Sequence, residues 1–195
     1  LTEVQLPNSI TKLGEKAFAG CTALNTINYP TGLQEVSYYG EVFANCTSLK
    51  SMTIPEGVTT IPDYTFKGCT YLERVELPES LITIGNAAFQ NCKVLQLEEL
   101  PEKVATIKDY AFYGCTGLET MTFPASLRSV GEQAFRNCTG LTEISLQEGV
   151  AELKGQAFSG CTGLTEVQLP NSITKLGEKV FAGCTALNTI NYPTG

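Results

Sequence analysis

Apolar residues recur along this chain in one fixed arrangement. In the first 23 residues they stand at Leu1, Val4, Leu6, Ile10, Leu13, Ala17, Phe18 and Cys21, with polar residues between them. The same set returns at Leu72, Val75, Leu77, Leu81, Ile84, Ala88, Phe89 and Cys92, and units begin at Leu1, Leu24, Leu49, Leu72, Leu95, Leu118, Leu141, Leu164 and Leu187. The spacing is 23 residues, once 25. A single unit of this kind cannot bury its own apolar side and has to stack on copies of itself. The pattern therefore predicts one repeat solenoid over 1–195: eight coils and a partial ninth, roughly 40 Å long at strand spacing.

Within a coil, Leu1-x-x-Val4-x-Leu6 ends in the alternation of a strand, and Pro7, which has no N–H for a ladder, stops it. One short parallel strand per coil is expected, on one side of a curved, right-handed array. Ile10-x-x-Leu13 is a second apolar pair, compatible with another strand or with an extended segment. Glu15 to Cys21 reads as a helical turn, since Ala17, Phe18 and Cys21 share a side at spacings of three and four. The position before the cysteine holds Gly20, Asn45, Gly68, Asn91, Gly114, Asn137, Gly160 and Gly183. Gly and Asn enter the left-handed region most readily, which predicts a sharp reversal there in every coil.

The pattern L-x-x-[IV]-x-[LI]-P-x-x-[LIV]-x-x-[IVL]-G-x-x-A-F-x-x-C, with its Pro, AF pair and Cys at places such as Pro124, Ala134, Phe135 and Cys138, resembles the BspA-like, Treponema pallidum-type class of leucine-rich repeats over the whole chain. The resemblance implies a surface or secreted protein of host-associated bacteria or some protozoa, acting in adhesion to host proteins or cells. Residues 1–32 and 164–195 are identical apart from Ala17 against Val180, and both ends of the chain fall inside a repeat. The expectation is a piece of a longer array, or one built by recent duplication. Uncapped end coils of such a piece are expected to associate weakly end to end.

Composition mostly excludes. No apolar run approaches the roughly 18–20 residues of a membrane span, and no basic stretch followed by an apolar run marks a signal peptide. The chain has no histidine, which removes Ser-His-Asp and Cys-His sites, and it has no phosphate-cradling or nucleophile-elbow motif. Paired acids such as Glu98 and Glu99 fall on opposite faces of a strand, unlike a glycosidase pair. No enzyme, cofactor or metal site is expected. Twenty acidic residues against 13 basic ones, with a pI near 4.7, argue against nucleic acid. Eight cysteines, one per coil, would form a ladder of parallel side chains about 5 Å apart. That suits buried free thiols better than disulfides, whose Cβ atoms sit at about 3.5–4.5 Å, or zinc, whose ligands cluster. The sequons Asn45-Cys46-Thr47 and Asn137-Cys138-Thr139 are read as turn geometry.

Departures from the pattern carry the candidate sites. Coil 2 holds two extra residues between Val36 and Phe43. Tyr38 and Tyr39 are placed on that bulge, either as partner-binding aromatics or as rings lying back on a neighbouring coil. Coil 7 has Gln147 in place of the proline. In coil 5, Glu98 stands where Val75 and Met121 are core, and a lone buried carboxylate is too costly to keep. A bulge that lets Leu97 fill the site is expected.

The outward strand positions hold Glu3, Glu73, Glu76, Glu99, Glu119, Glu143 and Glu166 against Lys50 and Arg74. Seven acids less two bases leaves five of the chain's seven net negative charges on this face. Glu73, Glu76, Glu99 and Glu119 come from consecutive coils and form the candidate binding patch, with a solvated, merely solubilising face as the alternative. The function expected is a non-enzymatic protein-binding scaffold whose partner has a basic segment, for instance an extracellular-matrix or host surface protein. A carbohydrate-binding module and a passive spacer are the rivals; Trp is absent and the tyrosines are scattered along the sequence, which favours a protein partner.

Overall fold

The structure, a computed structural model, describes residues 1–33, 35–36 and 40–191. It is a leucine-rich repeat solenoid of stacked coils, held by parallel strands. Tyr38 and Tyr39 lie outside the described residues.

Two strand ladders run along the array. The first contains Glu3–Val4, Thr26–Ile27, Ser51–Thr53, Arg74–Glu76, Thr120–Thr122, Glu143–Ser145, Glu166–Gln168 and Thr189–Asn191. Partners stand one repeat apart, as in Met52 with Val75 and Ile144 with Val167. The alternation predicted from Leu-x-x-Val-x-Leu is visible as an exposed, buried, exposed pattern at Arg74–Glu76. The proline after the strand ends it and lends its carbonyl to a turn, as where Leu81 N–H donates to Pro78 O at 3.0 Å. The second apolar pair is also a strand: Thr60–Ile61, Thr83–Ile84, Thr106–Ile107, Ser129–Val130, Glu152–Leu153 and Lys175–Leu176 form a continuous six-stranded ladder.

The predicted helical turn at Glu15 to Cys21 and its counterparts does not form; among the described residues there is no α-helix. A helix would spend its N–H groups inside one coil. Here alternate amides point to the neighbour instead: Lys16, Phe18 and Gly20 donate to the carbonyls of Gly40, Val42 and Ala44 at 3.3, 2.9 and 2.7 Å. The amides between them close short turns, as in Ala19 to Lys16 and Cys21 to Phe18. The same trio recurs at every joint down to Gln156, Phe158 and Gly160 with Glu178, Val180 and Ala182. Two left-handed residues per coil rotate the peptides into this arrangement. One is the Gly or Asn position, with φ between 60° and 77°, as expected. The other, four residues earlier, is held by Lys16, Glu41, Tyr64, Ala87, Tyr110, Gln133, Gln156 and Lys179 at φ between 31° and 61°. No residue type announces it, and such backbone costs on the order of 1–2 kcal/mol per residue. The inter-coil bonds offset that cost.

Behind this edge, Phe18, Phe43, Phe66, Phe89, Phe112, Phe135, Phe158 and Phe181 stack in one column, with centroids 5.9 Å apart at the first pair and 5.0 Å at Phe112–Phe135. The eight cysteines are free; seven are buried and Cys21, on the first coil, is half-buried. From Cys46 on, each thiol donates to the phenylalanine carbonyl of the preceding coil, for example Cys115 Sγ to Phe89 O at 3.0 Å. The thiols are thus hydrogen-bond donors as well as small apolar fillers. Burial pushes the Cys46 and Cys184 thiols up to about 11, and raises Cys69, Cys92, Cys115 and Cys138 further.

Candidate protein-binding face

Coil 5 is where the sequence departs from its own pattern, and there the first ladder is interrupted. Leu97 turns inward, half-buried against the core, and Glu98 is exposed, as the bulge requires. Coil 5 contributes only an isolated bridge, Glu99 with Thr122, in place of a strand. On its other side it is joined to coil 4 where Gln96 N–H donates to Glu73 O at 2.9 Å.

All four predicted carboxylates, Glu73, Glu76, Glu99 and Glu119, are exposed, but they do not form a single cluster. Register separates them into two rows. Glu76 pairs with Thr53 across the ladder, and Glu99 pairs with Thr122, so Glu76 and Glu99 are neighbours in one row of adjacent coils. Glu73 and Glu119 belong to a row three residues back, roughly 10 Å along the strand direction, with Gln96 between them. Two of the four have local partners: Thr53 Oγ1 donates to Glu76 Oε2 at 2.8 Å, and Glu73 lies 3.9 Å from Arg74. That ion pair is exposed and worth little. A second acidic pairing lies further along, where Glu143 stands directly beside Glu166 in register.

Two further acids form a row of their own, three residues beyond Glu76 and Glu99. Glu79 and Glu102 are exposed and occupy the position just after the proline in the same two coils. The column was legible at the repeat spacing, as Glu56, Glu79, Glu102 and Glu148, but it lies beyond the strand positions on which the charge sorting rested. Its carboxylates bond upward: Glu56 Oε1 accepts from Glu79 N–H at 2.8 Å, and Glu148 accepts from the amides of Asn171 and Ser172, with the Asn171 amide foremost in holding its carboxyl below the usual range. Between the coil 4 and coil 5 acids lies an open cleft of about 210 Å³. Leu77, Leu97 and Leu100 form its apolar lining, and Glu79, Glu99 and Glu102 its polar one.

The tyrosines, scattered in sequence, partly converge in space. Tyr64 and Tyr110 occupy the same left-handed position two coils apart, and Tyr110 and Tyr113 have ring centroids 6.2 Å apart. Lys67 Nζ sits 5.3 Å from the Tyr64 ring centre. Gln133 Nε2 donates to Tyr110 Oη, and Arg136 Nη1 to the side-chain oxygens of Gln133 and Gln156 at 2.9 and 2.8 Å. This aromatic and amide surface lies on the turn edge, beside Asp63, Asp109 and Glu132 and apart from the carboxylates of the strand face. Among the described residues, no group of three His, Cys, Asp or Glu side chains is placed to hold a metal ion, and no helix is long and apolar enough to cross a membrane.

The comparisons agree with this geometry. The family model described as BspA type leucine rich repeat region matches residues 1–98 and 95–195, in six copies. A leucine-rich repeat protein of Bacteroides ovatus is similar over 99% of this chain and 55% of its own, at 28% identity and a TM-score of 0.71. The leucine-rich repeat protein of T. pallidum is similar over 95% of this chain and 78% of its own, at 29% identity and a TM-score of 0.71. A Eubacterium ventriosum leucine-rich repeat protein, at 21% identity and a TM-score of 0.61 over 99% of this chain and 60% of its own, shares the fold. The chain thus spans about half the length of the Bacteroides protein. No curated protein matches the chain.

Proposed function

The chain belongs to the BspA-type leucine-rich repeat family, and from that premise we propose that it is a non-enzymatic protein-binding scaffold of a surface or secreted protein, acting in adhesion. Its acidic strand face takes a basic segment of a protein partner. The observation that carries this reading is the set of exposed carboxylates in adjacent rows along coils 4 and 5, Glu76 with Glu99 and Glu79 with Glu102, and Glu73 and Glu119 in the row before them. Like charges held side by side cost stability on a strand surface. A basic ligand relieves that repulsion and is steered in by it, with an on-rate that falls steeply as salt rises.

Immobilised protein and a panel of extracellular-matrix proteins, measured at low and physiological salt, test the reading. Binding that is lost in the Glu73→Gln, Glu76→Gln, Glu99→Gln, Glu119→Gln variant supports it, and binding that survives overturns it. A carbohydrate reading rests on a separate observation, the Tyr64, Tyr110 and Tyr113 surface with its oriented amides, since flat rings and fixed donors suit sugars. A glycan array separates the two, and silence on both panels favours a spacer.

A further inference from the structure

The cleft in coil 5 adds a specificity element to the acidic face proposed above as the partner site, and its role depends on that reading of the face. We infer that the cleft between coils 4 and 5 is a socket for one arginine side chain of the basic partner segment. Its volume, about 210 Å³, falls below the roughly 300–1,000 Å³ of small-molecule sites and suits a single side chain. Its chemistry is divided as an arginine is divided. Leu77 and Leu97, both half-buried, with buried Leu100, offer an apolar wall for a methylene stem. Glu79, Glu99 and Glu102 supply carboxylate oxygens at the polar side, matching a planar head with five donors. An ammonium group, compact and strongly hydrated, gains less from such a wall and lacks the planar fork that pairs bidentately with a carboxylate.

The socket comes from the departure in coil 5. Where the other coils place an apolar residue in the core and pair a full strand, coil 5 diverts Leu97 and exposes Glu98, and the ladder reduces to one bridge. Exchanging these two residues, Leu97→Glu with Glu98→Leu, restores the pattern of the neighbouring coils. Composition and net charge stay the same, and Glu79, Glu99 and Glu102 remain.

The experiment is fluorescence anisotropy with two labelled peptides of equal charge, one alternating serine with arginine and one alternating serine with lysine. The wild-type protein is expected to bind the arginine peptide more tightly. The exchange variant, checked for folding by its thermal melt, is expected to weaken the arginine peptide about tenfold, the scale of one charge-assisted pair, and to leave the lysine peptide within about twofold. Glu79→Gln with Glu102→Gln, which leaves the backbone alone, is expected to erase the same arginine preference. Equal affinity of the wild type for both peptides, or an exchange variant that keeps the preference, overturns the socket while the acidic face stands. If neither peptide binds the wild type at low salt, or the four-glutamine variant binds both unchanged, the acidic face falls and the socket with it.

Discussion

The turn edge and the first strand ladder are built from the same repeats, yet they respond differently to departures in sequence. On the turn edge the three amide bonds per joint, the phenylalanine column and the thiol-to-carbonyl bonds run from coil 1 to coil 8. The first ladder is divided into coils 1–2, 3–4 and 6–9. The difference follows from how much each contact repeats. A strand of two or three residues is marginal by itself and can lose its pairing while the core leucines, Leu95 and Leu100, stay buried. A turn that relies on two left-handed residues per coil holds only while its neighbours take up the rotated amides. The strand face, where the candidate partner site lies, therefore tolerates lost pairing, whereas the turn edge keeps its inter-coil bonds at every joint while its residue types vary.

The turn edge also shows an order longer than one repeat. Asn45, Asn91 and Asn137 alternate with Gly68, Gly114 and Gly160, and a Cβ on any of those glycines would collide with the asparagine Oδ1 of the coil before. Lys108 reaches 3.4 Å from the buried Asp63, two coils away, across Gly85, and Lys154 reaches 3.7 Å from Asp109 across Gly131. The stack thus reads two coils as its unit on this edge.

Substitutions can break or sharpen the contrast. The largest effect is expected from Phe112→Ala, at the tightest part of the column, with a loss of about 3–5 kcal/mol in urea denaturation; a loss under about 1 kcal/mol would remove the column as the stabilising element. Next, Gly114→Ala combines a left-handed φ of 71° with the Asn91 collision, whereas Gly20→Ala at φ 73° meets nothing within 4 Å. Gly20→Ala should cost about 1–2 kcal/mol and Gly114→Ala clearly more, and Asn91→Gly, which removes the colliding amide and keeps a residue suited to the left-handed φ of 61°, should recover the excess. Equal costs would show that neighbouring coils do not set the alternation.

On the strand face the changes are smaller. Leu97→Asn should destabilise by about 1 kcal/mol through lost burial, while Glu98→Leu should not lower the melting temperature; a large loss from Glu98→Leu would contradict the bulge. The thiols act through pH and leave stability unchanged at neutrality. Their folded values are raised by burial, to about 11 at Cys46 and Cys184 from an ordinary 9.0. A raised acid contributes its full stability below the unfolded value and loses it as pH rises through the folded one. Stability should therefore hold to about pH 9 and decline above it, through about pH 11 for Cys46 and Cys184 and beyond that for the more deeply buried thiols, as melts across pH would show. Native protein should show Cys21 reacting first with a thiol reagent, the other seven only on unfolding; faster labelling at Cys115 would count against the buried ladder.

What the sequence determined by itself is whatever one coil decides alone. The spacing of Leu, Val, Phe and Cys settled which residues are buried, the Gly or Asn before each cysteine settled one reversal, and Glu98 beside Leu97 settled the bulge. Those are statements about burial and backbone preference, and they are written in residue types. What only the tertiary structure decided is where the polar groups of one coil find partners on the next. Glu15 to Cys21 carries helical spacing, but its amides are claimed by coil 2. The second left-handed position accepts Lys, Tyr, Gln or Ala because the neighbour's carbonyl, and no local preference, holds it. Glu79 and Glu102 join Glu99 around a cleft through stacking alone, and Glu73 with Glu119 is set apart from Glu76 with Glu99 by strand register. Hydrogen bonds and charges between coils depend on registration across 23 residues, and a periodic sequence states that only after the coils are stacked.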